Sequence, residues 1–466
     1  MIRQRMEVPL DEPLLDAEAE DDEARGATAR ARANVRAVLW FSFVWSLARG
    51  IWQGQLLTVY LAKQVSGSMT NIGIIEGVQG LARLASAVGA GVVSDRMRGR
   101  RNLLLYGSAV FGVGVHAACA LLVVTPALDR LGPWLAGLSL YAVLVSLQTV
   151  VVESLLADST ASGARVRDYT HKRLCQQLGL IAGPLLQLAM LRGGAARDAW
   201  SARTTRALIL VGVAIGAGAC ALQLAMDQRR TLDHASEARQ LQGGADAAAA
   251  PGDAGGEGGE GGPAKARAAA PPAVSERAAR RVRRVILAYD VLRVLAGGVA
   301  VKFVGVYFVQ EHHLSPSMFL ALTLAAQAAM FAFTYAAGRL CAAGSARERV
   351  CFALLLLTDA GNFGLALAHG ARWQAAGWVL REGANNGIFG LKQTLLMDHT
   401  PKRDRGKWNS LDGLQSSFWS GSAMLGGWLI ERYDYRVNFQ AMSWGFVGAT
   451  LVWGALLRRA PEPGAG

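Results

Sequence analysis

Long runs of residues without charge are the feature that most constrains how this chain folds. Seven such runs occur, at residues 102–128, 131–152, 174–191, 207–226, 314–338, 413–430 and 437–457. A helix needs about 20 apolar residues to cross a hydrocarbon core about 30 Å thick. A soluble protein does not contain this many such runs, so the sequence predicts an all-α polytopic membrane protein.

Five further apolar segments are interrupted by one to three charges each. They lie at residues 37–62, 71–93, 285–310, 350–368 and 373–397. Together the segments predict twelve transmembrane helices, here called spans one to twelve in chain order. They fall into two six-helix halves, at residues 37–226 and 283–458.

Three regions lie outside this pattern. Residues 1–36 are acidic and have no apolar core, so we expect a disordered cytoplasmic tail. Residues 227–282 are rich in Ala, Gly, Pro and Glu, a composition typical of a flexible linker. Residues 459–466 form a short C-terminal tail.

The net charge of +13 first suggests two classes of protein, a nucleic-acid binder or a membrane protein with basic residues on one side. Only 18% of residues are charged and 52% are hydrophobic, which argues against the first class. Of the 48 Lys and Arg residues, 33 lie on the side of the two termini, 9 on the other side and 6 within the spans. The positive-inside rule therefore places both termini in the cytoplasm. No nucleic-acid partner is expected.

A short internal match relates the two halves. Residues 154–160 read SLLADST and residues 394–400 read TLLMDHT, with four of seven positions identical. A chance match is the alternative in a Leu-rich chain, but the two segments end spans four and ten, which are equivalent places in the two halves. This is the pattern expected of a parallel repeat.

The segment after span two carries a resemblance to a known family. Residues 91–101 read GVVSDRMRGRR, which resembles the signature loop between helices two and three of the major facilitator superfamily. The resemblance covers the whole membrane portion and implies twelve helices in two parallel-repeat halves that transport by alternating access. Arg98 stands where the family has a glycine, and the equivalent loop after span eight lacks the aspartate. Gly179, Gly183 and Pro184 match only part of the family's antiporter motif, so exchange is not inferred.

The same resemblance implies a cytoplasmic gate. In the family the loop aspartate holds the outward-facing state closed on the inside, and this role is carried to Asp95. The expected gate residues of this loop are Gly91, Asp95, Arg96, Arg100 and Arg101. Asp158 and Asp398 lie at the same ends of spans four and ten beside basic turns, so they are expected partners in the same gate. Ordinary interfacial charge is the alternative for each of them.

Charges inside the spans are costly and therefore informative. The candidate substrate and coupling residues are Arg49, Glu76, Arg83, Arg293, Asp359, Arg381, Glu382, Asn385 and Asn386. The arginines favour an anionic or carboxylate-bearing substrate, and Glu76 and Glu382 are candidate proton carriers. A structural network between helices is the alternative. Asp290 and Glu76 lie near span ends, from which their side chains could reach the surface.

Span ten is the strongest candidate for a site. Residues 381–387 read REGANNG, which puts polar or small residues at mid-depth. Such a segment predicts a broken or loosened helix, which a membrane tolerates where the backbone lines a cavity.

We therefore interpret the chain as a secondary active transporter of a small solute, with an organic anion and proton coupling as the specific hypothesis. A non-transporting membrane receptor or scaffold with the same fold is the alternative. The sequence has no phosphate loop, nucleophile elbow or metal-ligand spacing, so neither an enzyme nor a metal or other cofactor is expected. The expected partners are the lipid bilayer and a small-molecule substrate, with or without protons, and the expected assembly is a monomer.

Overall fold

The computed structural model describes residues 12–97, 101–160, 164–193, 199–232, 276–400 and 405–457. Within these ranges it leaves out the side chains of residues 12–24, 94, 95, 101, 165, 166, 193, 397, 405–414, 416 and 417. All regular structure in the described residues is helical, and the twelve predicted spans are all present. The all-α fold with two six-helix halves is therefore confirmed.

The helices of the first half follow the predicted spans. Their bounds are Glu12–Trp52 and Gln55–Tyr60 for span one, then Met69–Arg96, Arg101–Val124, Leu131–Ser159, Arg165–Gly193 and Ala202–Leu222. In the second half they are Glu276–Ala300 and Val304–Gln310 for span seven, then Pro316–Ala342, Arg347–Leu367, Ala371–Asp398, Arg405–Arg432 and Tyr435–Leu457.

Eight of the described helical segments are long and apolar enough to cross a membrane by themselves. The other four are spans one, two, ten and eleven, which are long enough but more polar. A helix of 28 residues, such as span two, is ~42 Å long at 1.5 Å per residue. Their hydropathy is lower because these four spans contribute polar side chains to the cavities between the halves, which are described below.

Two expected boundaries are corrected by the helices. Residues 12–36 were expected to be disordered but belong to the helix of span one, and residues 276–282 of the expected linker begin span seven. Both segments are rich in Ala, Glu and Arg, which are strong helix formers and extend a helix that is already nucleated. The rest of the linker, at 233–275, and the tails at 1–11 and 458–466 lie outside the described residues.

The ends of spans one, three and six meet at a polar contact outside the membrane segments. Asn34 Nδ2 donates to the Asp227 carbonyl at 2.8 Å, and the Asp227 amide donates back to Asn34 Oδ1 at 3.1 Å. Asn102 Nδ2 donates to Asp227 Oδ1 at 2.7 Å, and this hydrogen bond lowers the pKa of the Asp227 carboxyl. The contact fixes the three spans at the end where the first half stops.

The halves meet through three pairs of spans: two with eleven, five with eight, and one with seven. Odd-numbered spans begin on the side of the two termini.

On the side opposite the termini, Gly73 and Gly427 allow spans two and eleven to touch backbone to backbone. A Cβ at Gly73 would lie 2.6 Å from the Ala423 carbonyl oxygen, and one at Gly427 would lie 2.2 Å from that of Met69. Only glycine fits at this crossing.

Hydrogen bonds strengthen the same side. Thr70 Oγ1 donates to Glu431 Oε2 at 2.5 Å, and Trp200 Nε1 donates to the Leu314 carbonyl at 2.7 Å. Each bond joins one half to the other. The side opposite the termini is therefore closed by direct contact between the halves.

Candidate functional site

Span one is interrupted at mid-course. The long helix ends at Trp52, and a new helix begins at Gln55. Between them Gly54 has a φ of 79°, a left-handed conformation that side-chain-bearing residues rarely adopt. The break leaves backbone polar groups of span one without helical partners.

Span seven is interrupted at the equivalent place in the second half. Its first helix ends at Ala300, residues Val301–Phe303 form a 3₁₀ turn, and a second helix begins at Val304. Discontinuous helices at corresponding positions of two repeats are typical of substrate sites in transporters.

Gln55 joins the two breaks across the boundary between the halves. Its Nε2 donates to the Val301 carbonyl at 2.9 Å, and its Oε1 accepts from the Gly305 amide at 2.9 Å. A Cβ at position 305 would lie 2.4 Å from that Oε1, so glycine makes room for the amide. The side chain thus replaces hydrogen bonds that span seven loses at its break, as buried backbone groups require.

A cavity of about 620 Å³ lies between the halves beside these breaks. Its polar lining residues are Arg49, Gln53, Gln55, Glu76, Gln79, Arg83, Gln187, Arg293, Lys302, Thr323, Gln327, Gln415 and Ser420. A second cavity of about 320 Å³ shares Gln55, Leu180, Phe319, Thr323 and Gln327 with it, and is also lined by Arg173, Glu382 and Asn386. The two cavities therefore adjoin. Their size suits a small organic molecule.

The larger cavity has a positive lining. Four cationic side chains face it, Arg49, Arg83, Arg293 and Lys302, against the single carboxylate of Glu76 among its described lining residues. Arg49 Nε donates to Gln53 Oε1 at 3.0 Å, an amide contact that leaves the arginine charge uncompensated. The electrostatics of this cavity favour an anion.

Glu76 and Lys302 form an ion pair across the cavity. Lys302 Nζ lies 3.0 Å from Glu76 Oε2, with the carboxylate on span two and the ammonium in the break of span seven. The pair joins the two halves at mid-depth. Glu76 therefore does not reach the surface from its position near a span end.

Span ten corrects an expectation. It is one continuous helix, Ala371–Asp398, and the expected break at 381–387 is absent. Gly383 instead packs against span eight, where an added Cβ would lie 2.7 Å from Phe333 Cδ2. The polar residues stay compatible with the helix because Asn386 Nδ2 donates to the Glu382 carbonyl at 2.9 Å. Close packing, not unwinding, explains these glycines.

The other candidates of the second half divide between the cavities and the packed interior. Glu382 and Asn386 line the smaller cavity, and Arg293 Nη1 donates to Asn385 Oδ1 at 3.4 Å. Arg381 is 1% exposed and pairs with Glu382 on its own helix.

The Arg381 guanidinium lies 5.3 Å from the Trp378 ring centroid and 5.4 Å from that of Phe446. Asp359 is also buried, and neither Arg381 nor Asp359 is among the described residues that line the two cavities. Their placement is that of residues packed between helices.

One buried ion pair was missed by the sequence reasoning. Lys392 Nζ lies 2.5 Å from Asp290 Oδ1, with 4% of each side chain exposed, and Gln415 Nε2 donates to Asp290 Oδ2 at 3.2 Å. Asp290 thus points into the second half and not to the surface. Arg293 Nε, on the cavity wall, lies 4.0 Å from the same carboxylate. The sequence contained one indication of this pair: Asp290 and Lys392 lie equally far from the ends of predicted spans seven and ten that are on the same side of the membrane.

The expected gate residues are only partly described. Gly91 is half-buried and Arg96 exposed, while the side chains of Asp95 and Arg101 and all of Arg100 lie outside the described part of the chain. The Asp158 carbonyl accepts from the Leu232 amide at 2.9 Å.

The equivalent residue of span ten has a side-chain partner. Asp398 Oδ2 lies 2.5 Å from Arg347 Nη1, at the start of span nine. The gate assignment as a whole stays a prediction.

Comparison with solved structures identifies the architecture, although no sequence-family profile and no curated protein sequence matches the chain. A bacterial homologue of the human lysosomal transporter Spinster, inward-facing and occupied, superposes with a TM-score of 0.66 at 12% identity, covering 92% of this chain and 98% of that one. The xylose transporter XylE from E. coli, in a partially occluded inward-open conformation, gives 0.62 at 14%, covering 92% and 100%. The nucleoside transporter NupG gives 0.60 at 12%, with the same coverage. The fold is shared over nearly the whole length.

Proposed function

We propose that this chain, which has the fold of the major facilitator superfamily, is a secondary active transporter that moves a small organic anion by alternating access. The observation that carries the proposal is the cavity between the halves, where four cations and one carboxylate meet at the breaks in spans one and seven. Lys302 pairs with Glu76, and Arg293 lies 4.0 Å from Asp290, while Arg49 donates to the neutral amide of Gln53. A cluster of positive charge at mid-depth in a membrane is costly and marks a functional site. An anionic substrate would add a countercharge to this cluster.

The cationic groups suit a carboxylate, phosphate or sulfonate group on the substrate. Arg83 and Arg49 come from the first half and Arg293 from the second, so one anion between them would contact both halves. A guanidinium binds such groups through two parallel hydrogen bonds, which are strong where water is excluded. The apolar lining, such as Phe319 and Trp419, would hold the organic part.

Proton coupling follows from the ion pair between the halves. When Glu76 is ionised it pairs with Lys302 and competes with an anionic substrate for that ammonium. A proton on Glu76 removes the competition and leaves Lys302 for the substrate. Glu382, on the wall of the smaller cavity, is the second candidate proton carrier.

The conformational state of the structure can be assigned if both termini are cytoplasmic, which the distribution of Lys and Arg favours. The contacts of Gly73, Thr70 and Gly427 then close the extracellular side, which corresponds to an inward-facing state. The cytoplasmic gate at Asp95, Arg96 and Asp158 would form in the other state. The transporter is proposed to act as a monomer in the lipid bilayer.

A matched ligand screen tests the substrate class. The purified protein is heated with pairs of compounds that differ only in charge, for example succinate against succinamide and benzoate against benzamide. An anion that binds the native state raises the apparent unfolding temperature, and its neutral partner does not. Arg83→Gln should remove the shift, while Arg339→Gln, an exposed arginine at the end of span eight, should keep it. Equal shifts from neutral partners would contradict the anion assignment.

Transport itself needs a second measurement. Proteoliposomes are loaded with the anion identified by the screen, and uptake of the labelled compound is followed with and without an imposed pH gradient. Flux that depends on the gradient in wild type and not in Glu76→Gln supports coupling at Glu76. Binding without flux would favour the receptor alternative.

A further inference from the structure

A groove rich in arginine lies on the outside of the second half, away from the central cavity. It is lined by Arg277, Arg280, Arg281, Arg284, Val285, Ala288, Val452 and Ala455, from spans seven and twelve, and encloses about 520 Å³. We call it the arginine groove. No acidic residue is among the described residues that line it.

The arginines share one face of the helix. Arg277, Arg281 and Arg284, followed by Ala288, have the spacing of three and four residues that places side chains on a single helix face. All four residues are exposed. Arg283 points the other way, is buried, and donates from Nη1 to the His399 carbonyl at 2.5 Å. The helix is therefore held toward the end of span ten by its inner face, and the outer arginines face away from the described residues of span ten.

Charge pairing among the described residues does not neutralise the groove. Glu276 is the acidic residue of this turn, and its Oε1 lies 3.0 Å from Arg283 Nη2 and 3.6 Å from Arg280 Nε. Both arginines thus share one carboxylate, while Arg277, Arg281 and Arg284 lie on the open face.

The depth of the groove matches the membrane surface. Residues 276–284 precede the apolar part of span seven and extend ~13 Å along the helix axis. The headgroup layer of a bilayer is about 5–8 Å thick on each side. A row of this length would cross the headgroup layer, and the apolar floor of Val285, Ala288 and Val452 would continue into the hydrocarbon region.

We propose that the arginine groove is a binding site for an anionic phospholipid, with the phosphate held by Arg277, Arg281 and Arg284 and an acyl chain along the apolar floor. Basic pockets between transmembrane helices bind acidic headgroups in this way. The combination of charge and apolar floor favours a lipid over a free phosphate, because a phosphate ion has no apolar part to contact the floor. The lipid would brace the start of span seven against span twelve.

The test measures stabilisation of the full chain, purified in an uncharged detergent, by dioleoyl phosphatidylglycerol, dioleoyl phosphatidylcholine and sn-glycerol 1-phosphate. The groove variant carries Arg277→Gln, Arg281→Gln and Arg284→Gln. A matched control carries Arg229→Gln, Arg339→Gln and Arg349→Gln, three exposed arginines on the same side. All six positions are exposed, so neither variant should change the unfolding temperature without lipid.

Phosphatidylglycerol should raise the unfolding temperature of wild type and of the control variant. In the groove variant its half-saturating concentration should rise at least tenfold, because three charges that attract the anionic headgroup are removed. Equal losses in the two triple variants would overturn the site in favour of general surface charge. An equal effect of sn-glycerol 1-phosphate, or no effect of phosphatidylglycerol on wild type, would overturn the lipid as its occupant.

Discussion

The ion pair between Glu76 and Lys302 allows a quantitative test of how the halves are held together. At 3.0 Å and an effective dielectric constant of about 20, the attraction between two unit charges is about 5.5 kcal/mol. Desolvation of both groups offsets much of this, and the two side chains are 12% and 25% exposed. We expect a net coupling energy of about 1–3 kcal/mol, within the range that double-mutant cycles give for residues in contact.

A double-mutant cycle measures that energy. The free energy of unfolding is determined in detergent for wild type, Glu76→Gln, Lys302→Gln and the double variant. Each single change leaves the partner charge unpaired between the halves, so the double variant should be more stable than the sum of the single effects predicts. The same cycle on Arg347 and Asp398, an exposed pair within the second half, serves as the control and should give about 0–1 kcal/mol. Additivity within about 0.5 kcal/mol at Glu76 and Lys302 would refute the pair as a bond between the halves.

Two further changes test packing and the buried charges. Gly427→Ala should lower the unfolding temperature and weaken the contact between spans two and eleven, because the new Cβ meets the Met69 backbone; Gly448→Ala, with no atom within 4 Å of its Cβ, should have little effect in the same thermal assay. Asp290→Asn should destabilise the protein by about 3–5 kcal/mol by removing the carboxylate that faces the buried Lys392 ammonium, and adding Lys392→Met should recover part of the loss in unfolding measurements. A double variant less stable than Asp290→Asn would contradict the pairing.

The fold could be predicted because its physical signal is local. Each span is a run of apolar residues whose length matches the bilayer, and such runs are read directly from the sequence. The charges of the first half were also informative, since Arg49, Glu76 and Arg83 all line the cavity. A charge placed at mid-depth has few tolerable surroundings other than a cavity or a partner.

The remaining parts depend on partners that are distant in sequence. Glycine lowers helix propensity and also permits close packing, so the sequence around Gly383 is compatible with either a helix break or a close helix contact. The structure shows the contact, because Gly383 packs against Phe333. The true breaks lie at Gly54 and Val301, and the break at Val301 is stabilised by Gln55, a side chain from the other half. The pairing of Asp290 with Lys392 likewise needs the relative rotation of two spans, which a single sequence does not specify.

Gln55 has a mechanical consequence for the motion of the protein. By bonding to Val301 and Gly305, it ties the short helices Gln55–Tyr60 and Val304–Gln310 into one cap across the boundary between the repeats. Opening on the side opposite the termini would then require either that the two hydrogen bonds of the Gln55 amide break or that the cap tilt as a unit on two hinges. The hinge points would be Gly54 and the turn Val301–Phe303, so bending of two helices would accompany the rocking of the halves.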